Sequence, residues 1–211
     1  MMSLLLQREE LLGAAVVRLD DVYRRLYGDR PDGETTETEH LFKNEVWRQE
    51  ILQHIVIGSS LILADAVMLT EQNHQFPFIE MIGRAQQYVR DIAKEKNQKE
   101  DAVIVVPKIL LLYADPETVR RRADTDRGNR GLSPIGSLSS AKNAYSQFEF
   151  PKIYEPLYLN TSIETTEAEE ERVLKAISFI RGEYALGPTN EDRKREAVES
   201  YEHIIKELAS L

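Results

Sequence analysis

Ala14 to Gly28 reads AAVVRLDDVYRRLYG, and the fold follows from how this stretch divides. Ala14 to Leu19 is a short apolar run of the kind that forms a buried strand. Asp20 and Asp21 then open a helical turn, because carboxylates suit the positive end of a helix. The turn runs through Leu26 and stops at Gly28. A buried strand passing into a helix is the first half of a strand–helix–strand unit. Upstream, residues 2–12 read as a short helix closed by Gly13. Downstream, Asp29 to Gly33 (DRPDG) is a loop by composition.

The alternation continues along the chain. A long helix from about Glu34 to Ile57 places Phe42, Val46, Leu52, Ile55 and Val56 mostly on one face, with Gly58 at its end. Ser60 to Ala64 (SLILA) is a second buried strand, and residues 78–96 form another helix. Ala102 to Tyr113 (AVIVVPKILLLY) has strand character, but Pro107 has no N–H for a ladder and divides it. Asp115-Pro116-Glu117 is a strong helix start: a capping aspartate, a proline in the first helical position and a glutamate at the positive end. That helix is expected to reach about Ala123, followed by a mobile loop from Asp124 to Gly136 (DTDRGNRGLSPIG). A helix over residues 139–148 and a strand from Pro156 to Asn160 come next. Residues 166–181 form a helix bearing Val173, Leu174, Ile177 and Ile180, ended by Gly182. A final helix over residues 190–210 has a seam of Val198, Tyr201, Ile205 and Leu208.

Strands alternating with helices predict an α/β fold, a mostly parallel sheet flanked by helices. Residues 1–187 are expected to form this domain, with residues 188–211 docked on it as a C-terminal helix. Ligands of such folds bind beyond the carboxyl ends of the strands. Asp20 and Asp21 after the first strand and Asp65 after the second fall at such ends.

Composition narrows the function classes. The chain has 211 residues and a net charge of −9, which disfavours a broad nucleic-acid-binding surface or adhesion to anionic membranes. It has no cysteine, so disulfides, thiolate metal sites and cysteine nucleophiles are excluded. No run approaches the roughly 18 apolar residues of a membrane span, and the N-terminus lacks the basic stretch of a signal peptide. The expectation is a cytoplasmic protein. His40, His54, His74 and His203 have no metal-ligand spacing to one another.

Three segments, in order, resemble the P-loop kinase family that includes polynucleotide kinases and zeta-toxin-like kinases: LDDVYRRLYGD at 19–29, GSSLILADAVMLTEQ at 58–72 and YADPETVRRRADTDRGNRGLSP at 113–134. FEFPKIYEPLYLNTS at 148–162 resembles the region around the family's last strand. The resemblance implies transfer of a phosphoryl group from ATP to a hydroxyl acceptor, a small molecule or a nucleic-acid end, with Mg²⁺. It implies that the first segment supplies the carboxylate acting as general base on the acceptor. Asp21 with Arg24 has the D-x-x-R spacing, and Asp20 is the other register, with Tyr23 at the arginine position. The alternative is that one of the two aspartates only caps its helix. Asp65 resembles the carboxylate near the acceptor or the Mg²⁺ shell. Gln72, Asn73 and His74 stand where the family often has an arginine. The third segment resembles the lid over ATP, so Arg122, Arg127 and Arg130 are expected on the phosphates, with Arg127 as the best match. Arg120 and Arg121 are read as lying on the exposed side of the helix.

The family's phosphate loop, G-x-x-x-x-G-K-[ST], has no counterpart: no glycine in this chain is followed by lysine. The resemblance places that loop, and the strand before it, directly ahead of residues 2–12. The chain is therefore expected to lack the family's usual first strand and P-loop, and to bind ATP and Mg²⁺ only weakly as it stands. Two accounts stay open. In one, the natural protein carries the loop upstream and is a kinase. In the other, different segments fill the sheet and the chain is a non-catalytic binding or regulatory module on a kinase-like fold.

Overall fold

The computed structural model describes residues 5–28, 35–65, 72–97, 104–129, 150 and 154–209. They belong to two units, Met1–Pro107 and Lys108–Leu211.

In the first unit, β1 (Ala15–Arg18) passes into α1 (Leu19–Tyr27) with no intervening residue. Gly28 ends α1 with φ +68, a conformation glycine adopts without steric cost, and its N–H returns to Arg24 O at 2.9 Å. A long helix, α2 (Glu37–Val56), follows. Its start is fixed by a capping box: the Thr36 hydroxyl accepts the Glu39 N–H, and the Glu39 carboxylate accepts the Thr36 N–H. β2 (Ile62–Asp65) lies parallel to β1, in register from Ala15↔Ile62 to Arg18↔Asp65. The next helix, α3 (Gln72–Glu95), starts six residues before the predicted 78 and contains Pro77.

The core of this unit is Val17, Val22, Trp47, Ile51, Met81 and Ile82. Trp47 is 1% exposed and donates its indole N–H to Val17 O at 3.3 Å, so α2 is tied to β1 by a packed ring and by a hydrogen bond.

Three expectations fail in this unit. Phe42 and Val56, expected on the apolar face of α2, are exposed, and the residues that α2 buries are Asn44, Trp47 and Ile51. Residues 5–11 do not form one helix: Arg8 is extended (φ −91, ψ 133), separating a turn at 5–7 from a short 3₁₀ turn, Glu9–Leu11. Residues 104–107 are not a strand; the Val105 N–H is taken by the Gln86 side chain of α3 at 2.7 Å.

In the second unit, β3 (Leu110–Tyr113) pairs in parallel with β4 (Leu157–Asn160), from Leu110↔Leu157 to Tyr113↔Asn160. Between them, α4 (Pro116–Asn129) begins as its sequence predicts. Asp115 caps it, accepting the Thr118 N–H at 2.8 Å and the Thr118 hydroxyl at 2.9 Å. The helix does not stop near Ala123. Residues 124–129 continue it: the Thr125 hydroxyl donates to Arg121 O one turn back, and Gly128 does not take the positive φ that would end a helix. The rest of that expected loop, and the helix expected over 139–148, lie outside the described residues.

After β4 come α5 (Thr166–Ile180) and α6 (Pro188–Ala209). Val173, Ala176, Ile177 and Phe179 of α5 are buried, whereas Leu174, expected on the apolar face, is 52% exposed. α6 packs against β4 and α4. Leu157, Tyr158 and Leu159 of β4 are at most 1% exposed.

The fold is mixed α/β and mostly helical. The parallel sense of the strands agrees with expectation, but their pairing does not form one sheet: among the described residues there are two two-stranded sheets, β1–β2 and β3–β4. Pro156 O, the Tyr158 N–H and Asn160 O face away from β3, and side chains rather than a further strand take all three. Among the described residues, no helix is long and apolar enough to cross a membrane.

Trp47 is the only tryptophan of the chain, so its emission reports on the first unit. Replacing Trp47 with alanine is expected to destabilise that unit by about 3–5 kcal/mol. Urea unfolding followed by circular dichroism measures the loss.

Candidate functional site

The flush register of β1 and β2 sets the geometry of the first site. Arg18 and Asp65 are paired at the carboxyl ends of the two strands, and Asp20 and Asp21 follow in the first turn of α1. One end of one parallel sheet thus brings together the backbone positions of all three candidate carboxylates. Asp20 and Asp21 are both exposed. Neither caps α1: the cap residue is Arg18, whose side chain makes no capping bond. Asp21 Oδ1 lies 3.7 Å from Arg24 Nη1, so the D-x-x-R spacing is an exposed ion pair along one helix face. In the alternative register, Tyr23 holds the Thr35 hydroxyl at 2.8 Å, and Lys43 lies over its ring at 5.4 Å from the centroid. The side chain of Asp65 lies outside the described residues, as does that of His74.

Arg18 also stands at this strand end and was not singled out from the sequence. Among the described residues, its buried Nε has no hydrogen-bond partner. An arginine inside an apolar run was the available signal. Among the described residues, no group of three or more acidic or histidine side chains forms a metal-ion site.

The second site is at the carboxyl ends of β3 and β4. The Thr161 N–H donates to Tyr113 O at 2.7 Å, and the Thr161 hydroxyl donates to the same oxygen at 3.0 Å. Ser162 Oγ accepts the Asp115 N–H at 2.8 Å. The Thr118 N–H, then the Ser162 hydroxyl, hold the Asp115 carboxyl down at about 2, below its ordinary 3.8.

Arg122 is the member of the arginine set whose surroundings are described. Its Nε donates to Glu164 at 2.8 Å, Nη1 to the Thr161 hydroxyl at 2.9 Å, and Nη2 to the Thr161 carbonyl. Arg121 joins it on Glu164 at 2.7 Å. The two guanidinium groups, Arg122 first, keep the Glu164 carboxyl below its usual range. In this arrangement Arg121 and Arg122 tie α4 to the segment after β4. The backbone of Arg127 is in α4, but its side chain lies outside the described residues, as does the whole of Arg130.

Two further carboxyls meet beside β4. Glu155 is pushed up by a hydrogen bond to Glu191, by burial and by the charge of Glu191. Tyr113 donates its hydroxyl to Glu196 at 2.6 Å; burial and then Glu196 push its phenol well above the ordinary value. Comparison with protein-family models, with curated proteins and with solved structures found no match to this chain.

Asp115 gives a signed pH dependence. Its folded pKa is depressed, so its contribution is complete above 3.8 and is lost as pH falls towards about 2. Asp115→Ala is expected to cost about 1 kcal/mol at neutral pH and to flatten the stability loss across that acid window. Urea midpoints of both proteins, measured across the window, test this.

Proposed function

We propose that this chain is the acceptor and lid portion of a cytoplasmic P-loop-type kinase that transfers a phosphoryl group from ATP to a hydroxyl acceptor. The observation that carries the reading is the flush β1–β2 register, which sets Asp20, Asp21 and Asp65 at one carboxyl end of a parallel sheet. In a phosphotransferase, Asp21 or Asp20 takes the proton of the acceptor hydroxyl, and the other holds the acceptor in place. Asp65 contributes to the Mg²⁺ shell, where one or two protein carboxylates and several waters suffice. Arg24, 3.7 Å from Asp21, sets a positive charge beside that carboxylate. Arg127 and Arg130, with Arg122 at the base of the same segment, bring positive charge to the phosphates.

A second reading is favoured by the contacts of Arg121 and Arg122. Both are engaged by Glu164 rather than presented to a ligand, which suits a non-catalytic binding or regulatory module.

The test is a version of the protein extended upstream to include the preceding reading frame. Expected are a loop ending Gly-Lys-Ser or Gly-Lys-Thr and ATP turnover with sugars, nucleosides or nucleic-acid ends. Asp21→Asn is expected to reduce kcat by about 10²–10⁴-fold, or Asp20→Asn if that residue is the base. A folded extended protein with no turnover on any of these acceptors would rule out the kinase and leave the module.

A further inference from the structure

The far edge of β4 is closed by side chains. In the β3–β4 ladder, the Leu157 N–H donates to Ile109 O at 2.9 Å and the Thr161 N–H to Tyr113 O at 2.7 Å. The groups of residues 157, 159 and 161 therefore face β3, and those of 156, 158 and 160 face the other way. On that far side, Asn190 Oδ1 accepts the Tyr158 N–H at 3.0 Å, and Asn190 Nδ2 donates to Pro156 O at 3.1 Å. Arg172 Nη1 donates to Asn160 O at 3.2 Å. Asn190 is 2% exposed and sits in the first turn of α6. A carboxamide offers one acceptor and one donor, as a strand residue does. One side chain thus supplies what a neighbouring strand would.

α6 holds the sheet by side-chain hydrogen bonds together with a thin apolar seam, in which Ala197 clusters with Leu111 and Tyr158 and Tyr201 meets Phe150 at 5.9 Å. Besides Asn190, Glu196 accepts the Tyr113 hydroxyl, and the Ser200 hydroxyl donates to Ala114 O at 2.5 Å. Among its described side chains, Ala197 is the one fully buried apolar residue, and Val198, Tyr201, Ile204 and Ile205 are partly buried. By contrast, α5 buries Val173, Ala176, Ile177 and Phe179 fully. Elements with little apolar burial open at lower free energy than those that carry the core.

We infer that α6 is a releasable strap: it opens as a unit while the β3–β4 ladder stays closed, and its opening bares the far edge of β4. While it is shut, Asn190 keeps that edge from pairing with any other strand. This inference is independent of the kinase reading.

Residue-resolved amide exchange on the full chain tests it. In the unaltered protein, the Tyr158 amide is expected to exchange in step with the amides of α6, at least roughly tenfold faster than the Leu159 amide, which faces β3. Asn190→Ala should speed Tyr158 and α6 together, again by roughly tenfold or more, and leave Leu159 where it was. Arg172→Ala, which frees Asn160 O and Ile163 O, should leave α6 unchanged. A Tyr158 amide as slow as that of Leu159, or one that exchanges out of step with α6, would overturn the strap. The unaltered protein alone decides this, so a failure of Asn190→Ala to fold does not blunt the test.

Discussion

A strand in a parallel pair satisfies only half of its backbone through its partner; the other half faces away and needs another solution. With strands of four residues, this constraint shapes the molecule more than any single apolar contact. At β4 the solution is Asn190 and Arg172, which make it a terminal strand. The far edges of β2 and β3 carry no strand among the described residues.

Much of the local structure was legible because it depends on neighbours in sequence. Asp115-Pro116 starts α4, and Gly28, Gly58 and Gly182 all take positive φ at helix ends. The errors fall where local and tertiary terms compete. Residues 5–11 carry helical character, yet Arg8 is extended between two turns. The polar run after Ala123 reads as a loop, but without a positive φ at Gly128 nothing stops the helix before Asn129. Asn190 could not be anticipated, since a lone asparagine after a Gly-Pro turn signals a helix start and gives no sign of a strand edge 32 residues away.

The candidate site was legible to a similar degree. Placement of Asp20, Asp21 and Asp65 at one strand end follows from the alternation of elements, and the register agrees with it. The pairing of Asp21 with Arg24 follows from helical spacing. The engagement of Arg122 by Glu164 does not, because those residues are 42 apart and meet only once β3 and β4 are paired. Chemistry set by a strand end can be read from a string of letters; chemistry set by which loop lies beside which helix cannot.

The direct passage from β1 into α1 at Arg18–Leu19 has a consequence for how this sequence can vary. There is no spacer to absorb an insertion. One added residue at the join would rotate Asp20 and Asp21 by about 100° around the axis of α1, while Asp65, on the adjacent strand, would keep its place. The length of this junction is fixed as firmly as the pitch of a screw.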